Sequence, residues 1–323
     1  MSKSSAVSAD HAVAKEGSAA RVVCPICGPC GTTFVGVCSR LPVVTCCGCG
    51  LMYVAECPEL TETFRIFEEA EIPDAQKEDQ TFLETRRQNL ARGAARIRRH
   101  VPKGGRLLDV GTADGFLLHQ FQGDPSWEVA GVEPSREAVM YARQTYGVTV
   151  HRGFLSDQNF PDGGFDVVCS MDAFLCHRNP LADMQEFFRI LAPGGVLAIE
   201  IPGHRFRMLV GSGHLYRWLT GRSLRLNAGV NFFYYTRETL SRLAGMCGFE
   251  LVCSYPEDMP RSGGFPGQLF RSLWDGCAAA LYHLTGGHLN FCAKELCIFR
   301  RPECATASNG EESRAVPAQA FAA

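Results

Sequence analysis

The segment Leu107-Leu108-Asp109-Val110-Gly111-Thr112-Ala113-Asp114-Gly115-Phe116 constrains this chain more than any other. An apolar run ends in an acid, turns through small residues, and opens into a pattern that predicts a helix over 114–122. Small side chains let a ligand approach the backbone, and a helix N-terminus offers unpaired N–H donors. The texture around it is regular. Short buried-type runs at 106–110, 127–132, 148–151, 165–170, 196–201, 249–254 and 295–300 predict seven strands. Helical patterns at 135–146, 180–191, 236–247 and 268–284 alternate with them. Strands alternating with helices of about ten residues specify an α/β fold, with a mainly parallel sheet and helices on both faces. In such a doubly wound sheet the strand ends line one crevice. Glu133, at the end of the second strand and 18 residues beyond Gly115, is therefore placed to accept both hydroxyls of a ribose.

The glycine spacing discriminates between nucleotides. A dinucleotide fingerprint, G-x-G-x-x-G, would need glycines at 111, 113 and 116, where Ala113 and Phe116 occupy two of the three. The pattern D-x-G-x-G-x-G matches Asp109, Gly111 and Gly115, with Ala113 departing. This resembles motif I of class I S-adenosylmethionine-dependent methyltransferases. Phe165-Asp166-Val167-Val168 resembles that family's fourth strand. Arg189-Ile190-Leu191-Ala192-Pro193-Gly194-Gly195 resembles its R-x-L-x-P-G-G turn into the fifth. The likeness spans 106–301 and implies a seven-stranded Rossmann-like sheet that transfers a methyl group from S-adenosyl-L-methionine. It implies cofactor contacts at Asp109, Gly111, Ala113, Gly115 and Glu133. Pro134, Phe154 and Leu155 would lie against adenine, with Phe154 standing where relatives often carry an aspartate. Met171, with Ser170 and Asp172, would face the methionine end or the acceptor.

Methyl transfer to oxygen or carbon also needs a base. His177 is the candidate, since relatives often carry a histidine there; packing against the next helix is the competing reading. His204 and His214 lie in a Gly/Arg-rich excursion that reads as a lid. Tyr234 and Tyr235 suit an acceptor pocket or a core.

Eight of the 16 cysteines fall between Cys24 and Cys57. Cys24-Pro-Ile-Cys27-Gly28 and Cys46-Cys47-Gly48-Cys49-Gly50 form two C-x-x-C-G knuckles with 18 residues between them. Each pair can aim two thiolates at one metal while the glycine permits a tight turn, so Cys24, Cys27, Cys46 and Cys49 predict a four-cysteine structural zinc site. Cys30, Cys38 and Cys57 have no assigned role. A zinc-ribbon ahead of such a domain resembles a bacterial methyltransferase group that includes deoxysugar C-methyltransferases. Members carry a Tyr/His/Glu cluster where this chain has Asn227-Ala228-Gly229-Val230-Asn231, which argues against methylation of a sugar carbon.

These features divide the chain into a disordered N-terminus (1–20), the ribbon (21–57), a helical linker (58–101), the methyltransferase domain (102–301) and a disordered tail (302–323). The linker's arginines, Arg86 to Arg99, read as a solvated face or as a surface for an anionic ligand. Lys+Arg number 32 against 34 Asp+Glu, too even a balance for wrapping nucleic acid. No apolar run reaches the roughly 18–20 residues of a membrane span, and no export signal precedes the cysteines. The expectation is a cytoplasmic enzyme acting on a small molecule. The alternative is a zinc-ribbon regulatory protein whose degenerate domain only senses the cofactor, supported by Ala113 and the missing base cluster.

Overall fold

The computed structural model describes residues 20–38, 41–57, 80–211, 231–257 and 265–303. The chain enters through β1 (Ala20–Arg21), β2 (Thr32–Cys38), β3 (Leu41–Cys46), β4 (Met52–Val54) and β5 (Glu56–Cys57). Helix α1 (Gln80–His100) leads into the main domain. Next come β6 (Gly105–Val110), α2 (Phe116–His119), β7 (Trp127–Glu133), α3 (Arg136–Tyr146) and β8 (Thr149–Arg152). The second half runs through β9 (Phe165–Met171), α4 (Pro180–Ile190), β10 (Leu191–Pro202), α5 (His204–Gly211) and β11 (Phe233–Tyr234). It closes with α6 (Arg237–Met246), β12 (Glu250–Glu257), α7 (Phe265–Leu284) and β13 (Lys294–Arg300).

The large sheet has seven strands in the order β12-β13-β10-β9-β6-β7-β8, parallel except for the antiparallel β13. Its strands are apolar on both sides because both sides are covered. Leu108, Val168, Leu197 and Ile199 face α4 and α6, whereas Leu107, Val167, Val196 and Ile298 face α1, α2 and α3. The sequence also sets the helix ends. The Ser135 hydroxyl accepts from Ala138 N and Gly147 closes α3 in the left-handed region, while Asn179 caps α4 with Pro180 in its first turn.

Three expectations change in detail. The helix expected over 114–122 is only Phe116–His119. The fifth strand begins at Leu191 rather than 196, because the Ala192–Gly195 turn is accommodated as a register shift against β9. On α7 the spacing predicts an apolar stripe at Phe270, Leu273, Trp274, Ala278, Leu281 and Leu284; Ala278 is buried as expected, together with Tyr282, but Leu273 and Leu284 are exposed.

The cysteine-rich segment is joined to the rest rather than standing apart. Its sheet has the order β11-β4-β3-β2, so the strand Phe233–Tyr234 completes it from across the chain. Its buried Val43, Leu51 and Val54 share one apolar cluster with Phe174, Phe187, Ile199 and Leu240. Among the described residues no helix is long and apolar enough to cross a membrane. His214, the stretch 227–230 and the termini at 1–19 and 304–323 lie outside the described residues.

Candidate active site

The chain builds β6, steps outward to β7 and β8, then returns to place β9 on the other side of β6. Ligands of open α/β sheets bind at such a switch point, beyond the carboxyl ends of the strands. The glycine turn occupies that place. Gly111 has φ +81°, and a Cβ there would sit 2.4 Å from the Ala173 Cβ, so only glycine lets the loop after β6 meet the loop after β9. Gly115, at φ +79°, similarly leaves room for Ala142 of α3. Ala113 adopts the conformation of the glycine it replaces, with φ +48°. A left-handed alanine costs about 1–2 kcal/mol, and the turn survives because Ala113 N donates to Glu133 Oε2 at 2.9 Å.

Glu133 is a lock as well as a candidate ligand. Its Oε1 accepts from Ser135 N at 2.9 Å, so one carboxylate ties the glycine turn to the start of α3. Each oxygen has a second lone pair for a ligand hydroxyl. Burial pushes its pKa up against the backbone donors. Asp109 is 2% exposed, and burial, reinforced by Glu133 and opposed by the nearby Thr112 hydroxyl and the Cys169 thiol, pushes it up to about 7. The expected free N–H groups at the helix start are partly used: Asp114 Oδ1 accepts from Phe116 N, and its Oδ2 meets Arg86 Nη1 at 3.1 Å.

Pro134 follows Glu133 and is half-buried, and Leu155, at the start of the turn after β8, is buried. Phe154 N donates to Asp157 Oδ2 at 2.8 Å, which brings a carboxylate beside the position where relatives often carry an aspartate. Met171 turns under α1: a Cβ on Gly93 would lie 2.8 Å from its Cε. Asp172, at φ +58°, reaches Lys294 Nζ at 2.8 Å, and Lys294 also meets the buried Glu200 at 2.8 Å. Burial pushes the Lys294 pKa down, but the two carboxylates outweigh it and hold it above the ordinary lysine value.

His177 Nδ1 lies 2.9 Å from Asp183 Oδ2, its side chain 12% exposed between Phe174 and Phe187. A carboxylate on Nδ1 leaves Nε2 with its lone pair, the tautomer a base requires. Asp183 went unnoticed in the sequence; its place in the first turn of α4, six residues after the histidine, was the available signal. His204 opens α5 and lines a narrow slot with Met52, Leu175, Pro202 and the run Phe233–Tyr235. Burial, then Arg205, lowers its pKa.

The four expected cysteines converge, all Sγ atoms lying within 4.8 Å of one another. The knuckles repeat one geometry. Cys27 N donates to Cys24 Sγ and Cys49 N to Cys46 Sγ, each at 3.4 Å, and Gly28 and Gly50 are left-handed at φ +67° and +78°. Cys30 Sγ lies 3.2 Å from Cys46 Sγ as a neighbouring fifth thiol. The linker arginines divide: Arg99 is exposed, as a solvated face predicts, while others turn inward. Arg96 pairs with the buried Glu257, Arg86 with Asp114, and Arg98 lies over Phe121, so this face of α1 is turned onto the domain.

A doubly wound sheet with an acid-and-glycine turn at its switch point defines a Rossmann-like protein with a nucleotide-type crevice. The chain belongs to the methyltransferase-domain family, which matches residues 82–254. It is 33% identical over 98 residues to the demethylmenaquinone methyltransferase of Chlorobaculum parvum, covering 30% of this chain and 41% of that protein. It is 31% identical over 103 residues to the 2-methyl-6-phytyl-1,4-hydroquinone methyltransferase of Synechocystis sp., covering 31% and 32%. The tRNA U34 carboxymethyltransferase of Hahella chejuensis is 29% identical over 163 residues, 46% of each chain. The chain thus spans less than half the length of these curated relatives. The Burkholderia thailandensis 1,6-didemethyltoxoflavin-N1-methyltransferase shares the fold, with a TM-score of 0.51 at 13% identity over 84% of this chain and 99% of that one.

Proposed function

We propose that the protein is an S-adenosylmethionine-dependent methyltransferase acting on a small molecule, with zinc in a structural site. The observation that carries the reading is the locked turn at the switch point. Asp109, Gly111, Ala113, Gly115 and Glu133 present two carboxylates and bare backbone at adjacent strand ends, which fits a nucleoside bearing an ammonium group. When bound, S-adenosylmethionine supplies an electrophilic methyl. Glu133 receives the ribose, Pro134, Phe154 and Leu155 border the adenine, and Met171 backs the methionine end. His177, oriented by Asp183, takes the acceptor's proton. Relatives named for demethylmenaquinone and for a hydroquinone support a small-molecule acceptor, as does the formal net charge of −2. The regulatory alternative loses its main support because Ala113 preserves the turn that the missing glycine would have made.

Calorimetry with S-adenosylhomocysteine tests the assignment. A charge-assisted bond is worth about 1.5–3 kcal/mol, so Glu133→Gln should weaken binding roughly tenfold or more while circular dichroism stays native. Unchanged affinity would remove Glu133 from the site. For His177→Gln, a large loss of kcat with S-adenosylhomocysteine affinity unchanged marks a base; an unchanged kcat leaves the histidine a packing residue. Salt-dependent binding of transfer RNA would redirect the acceptor to nucleic acid.

Four thiolates in two matched knuckles form a soft, closed donor set that suits zinc and leaves no position for chemistry. Metal analysis should return one zinc per chain, lost in Cys24→Ser with Cys49→Ser.

A further inference from the structure

We infer that Cys169 is a positioning residue for the cofactor: its thiol, buried beside Asp109, donates to that carboxylate and keeps it fixed and charged for the cofactor's ammonium group. The inference rests on the methyltransferase reading above and gives a role to a buried thiol which that reading leaves unused. Neighbouring strands bring the two residues together. β6 and β9 run parallel, and their register pairs Asp109 with Cys169. Both are closed to solvent. Cys169 Sγ lies 3.5 Å from Asp109 Oδ1, the distance of a thiol hydrogen bond. Ser170 turns its hydroxyl elsewhere, donating to Val110 O at 3.0 Å.

The thiol has two acceptors within reach. Leu108 O is also 3.5 Å from Cys169 Sγ, and a thiol carries one hydrogen to give. An ionised acceptor holds a hydrogen bond more strongly than a neutral one. The S–H therefore turns to Asp109 when the carboxylate is charged and to Leu108 O when the acid is protonated. Burial, reinforced by the Asp109 charge, pushes the Cys169 thiol well above its ordinary range, so it stays a donor in both states. The other groups acting on Asp109 come from β7, the glycine turn and α1. Glu133 disfavours the carboxylate by like charge, whereas the nearby Thr112 hydroxyl and, more weakly, Arg86 favour it. Arg86 is itself held by Asp114 at 3.1 Å. The thiol thus adds to a small set of groups that keep a buried acid charged, and it extends cofactor binding towards lower pH.

Calorimetry on the full-length protein follows S-adenosylhomocysteine affinity against pH for the parent, Cys169→Ala, and Cys169→Ala combined with Asp109→Asn. Loss of the donor raises the Asp109 pKa. Cys169→Ala should therefore bind like the parent near pH ~9 and roughly threefold to tenfold more weakly near pH ~6, its profile displaced upward by about half a unit to one unit. A thiol that only packs would weaken binding equally at every pH. In the Asp109→Asn background the cysteine substitution should leave the pH profile unaltered. Methylthioadenosine, which lacks the ammonium-bearing chain, should bind the parent and Cys169→Ala alike at each pH. Difference infrared spectra at mildly acidic pH should show one S–H stretching band that moves when S-adenosylhomocysteine binds and is missing from Cys169→Ala. A parental pH profile in Cys169→Ala, a loss uniform across pH, the same pH-dependent loss with methylthioadenosine, or an S–H band unmoved by binding would each overturn the proposal and leave the methyltransferase reading in place. A parent protein that binds neither nucleoside is a distinct result, removing that reading and this inference together.

Discussion

Ala113 illustrates how a motif departure is decided by backbone rather than by residue type. The left-handed turn is retained at a cost, and Ala113→Gly should recover about 1 kcal/mol, read as a higher urea midpoint with unchanged slope. Asp109 predicts a pH dependence. In the free protein its pKa is raised to about 7. If Asp109 faces the ammonium of the cofactor as proposed, that charge favours the carboxylate, so the bound-state pKa is lower. Binding is then complete above pH 7 and weakens as pH falls below it, approaching tenfold per unit. Calorimetry from mildly acidic to mildly alkaline pH should show that slope, and Asp109→Asn should abolish it. Asp109, Gly111 and Gly115 were legible in the sequence because their spacing follows from the turn itself. Asp183, Lys294 and Glu200 were not, since their partners come together only when separate strand ends and helix starts assemble.

The elements show the same division. Seven strands and the main helices could be read from apolar runs and their punctuation, because a sheet covered on both faces imposes nearly continuous hydrophobic stretches. The role of α1 was hidden. Its arginines look like a solvated face in one dimension, yet Glu257 of β12 is 2% exposed and pairs with Arg96, with Arg92 Nε at 3.6 Å. Breaking a buried pair costs about 3–5 kcal/mol because the remaining charge is stranded. Arg96→Ala should fall near the lower end, since Arg92 remains close; equilibrium denaturation measures it. A second variant, Arg96→Ala with Glu257→Gln, should recover part of the loss.

At the scale of the whole molecule, the cysteine-rich segment was expected to be a module ahead of a domain. The sequence shows its knuckles, which are local, but not its completion by β11, which is not. If the four thiolates hold zinc as proposed, chelation should lower the melting temperature of the entire chain in one transition, because the small sheet and the large one share a single apolar cluster. A loss of only about 5 kcal/mol corresponds to a fall of roughly 10–20 °C in a domain of this size. Two separated calorimetric transitions, the upper unmoved by chelator, would show the parts to be independent.

The pairing of Tyr53 with Phe233 also imposes an order on biosynthesis. The ribosome delivers β4 early and its edge partner only after β6 to β10 have followed. Until residue 234 emerges, the nascent protein carries an open strand edge at Met52–Val54, where Val54 N later donates to Phe232 O. An open edge is a template for pairing with other chains. Translation that stalls within this interval therefore leaves fragments with the β4 edge open, and a single two-residue strand is what covers it.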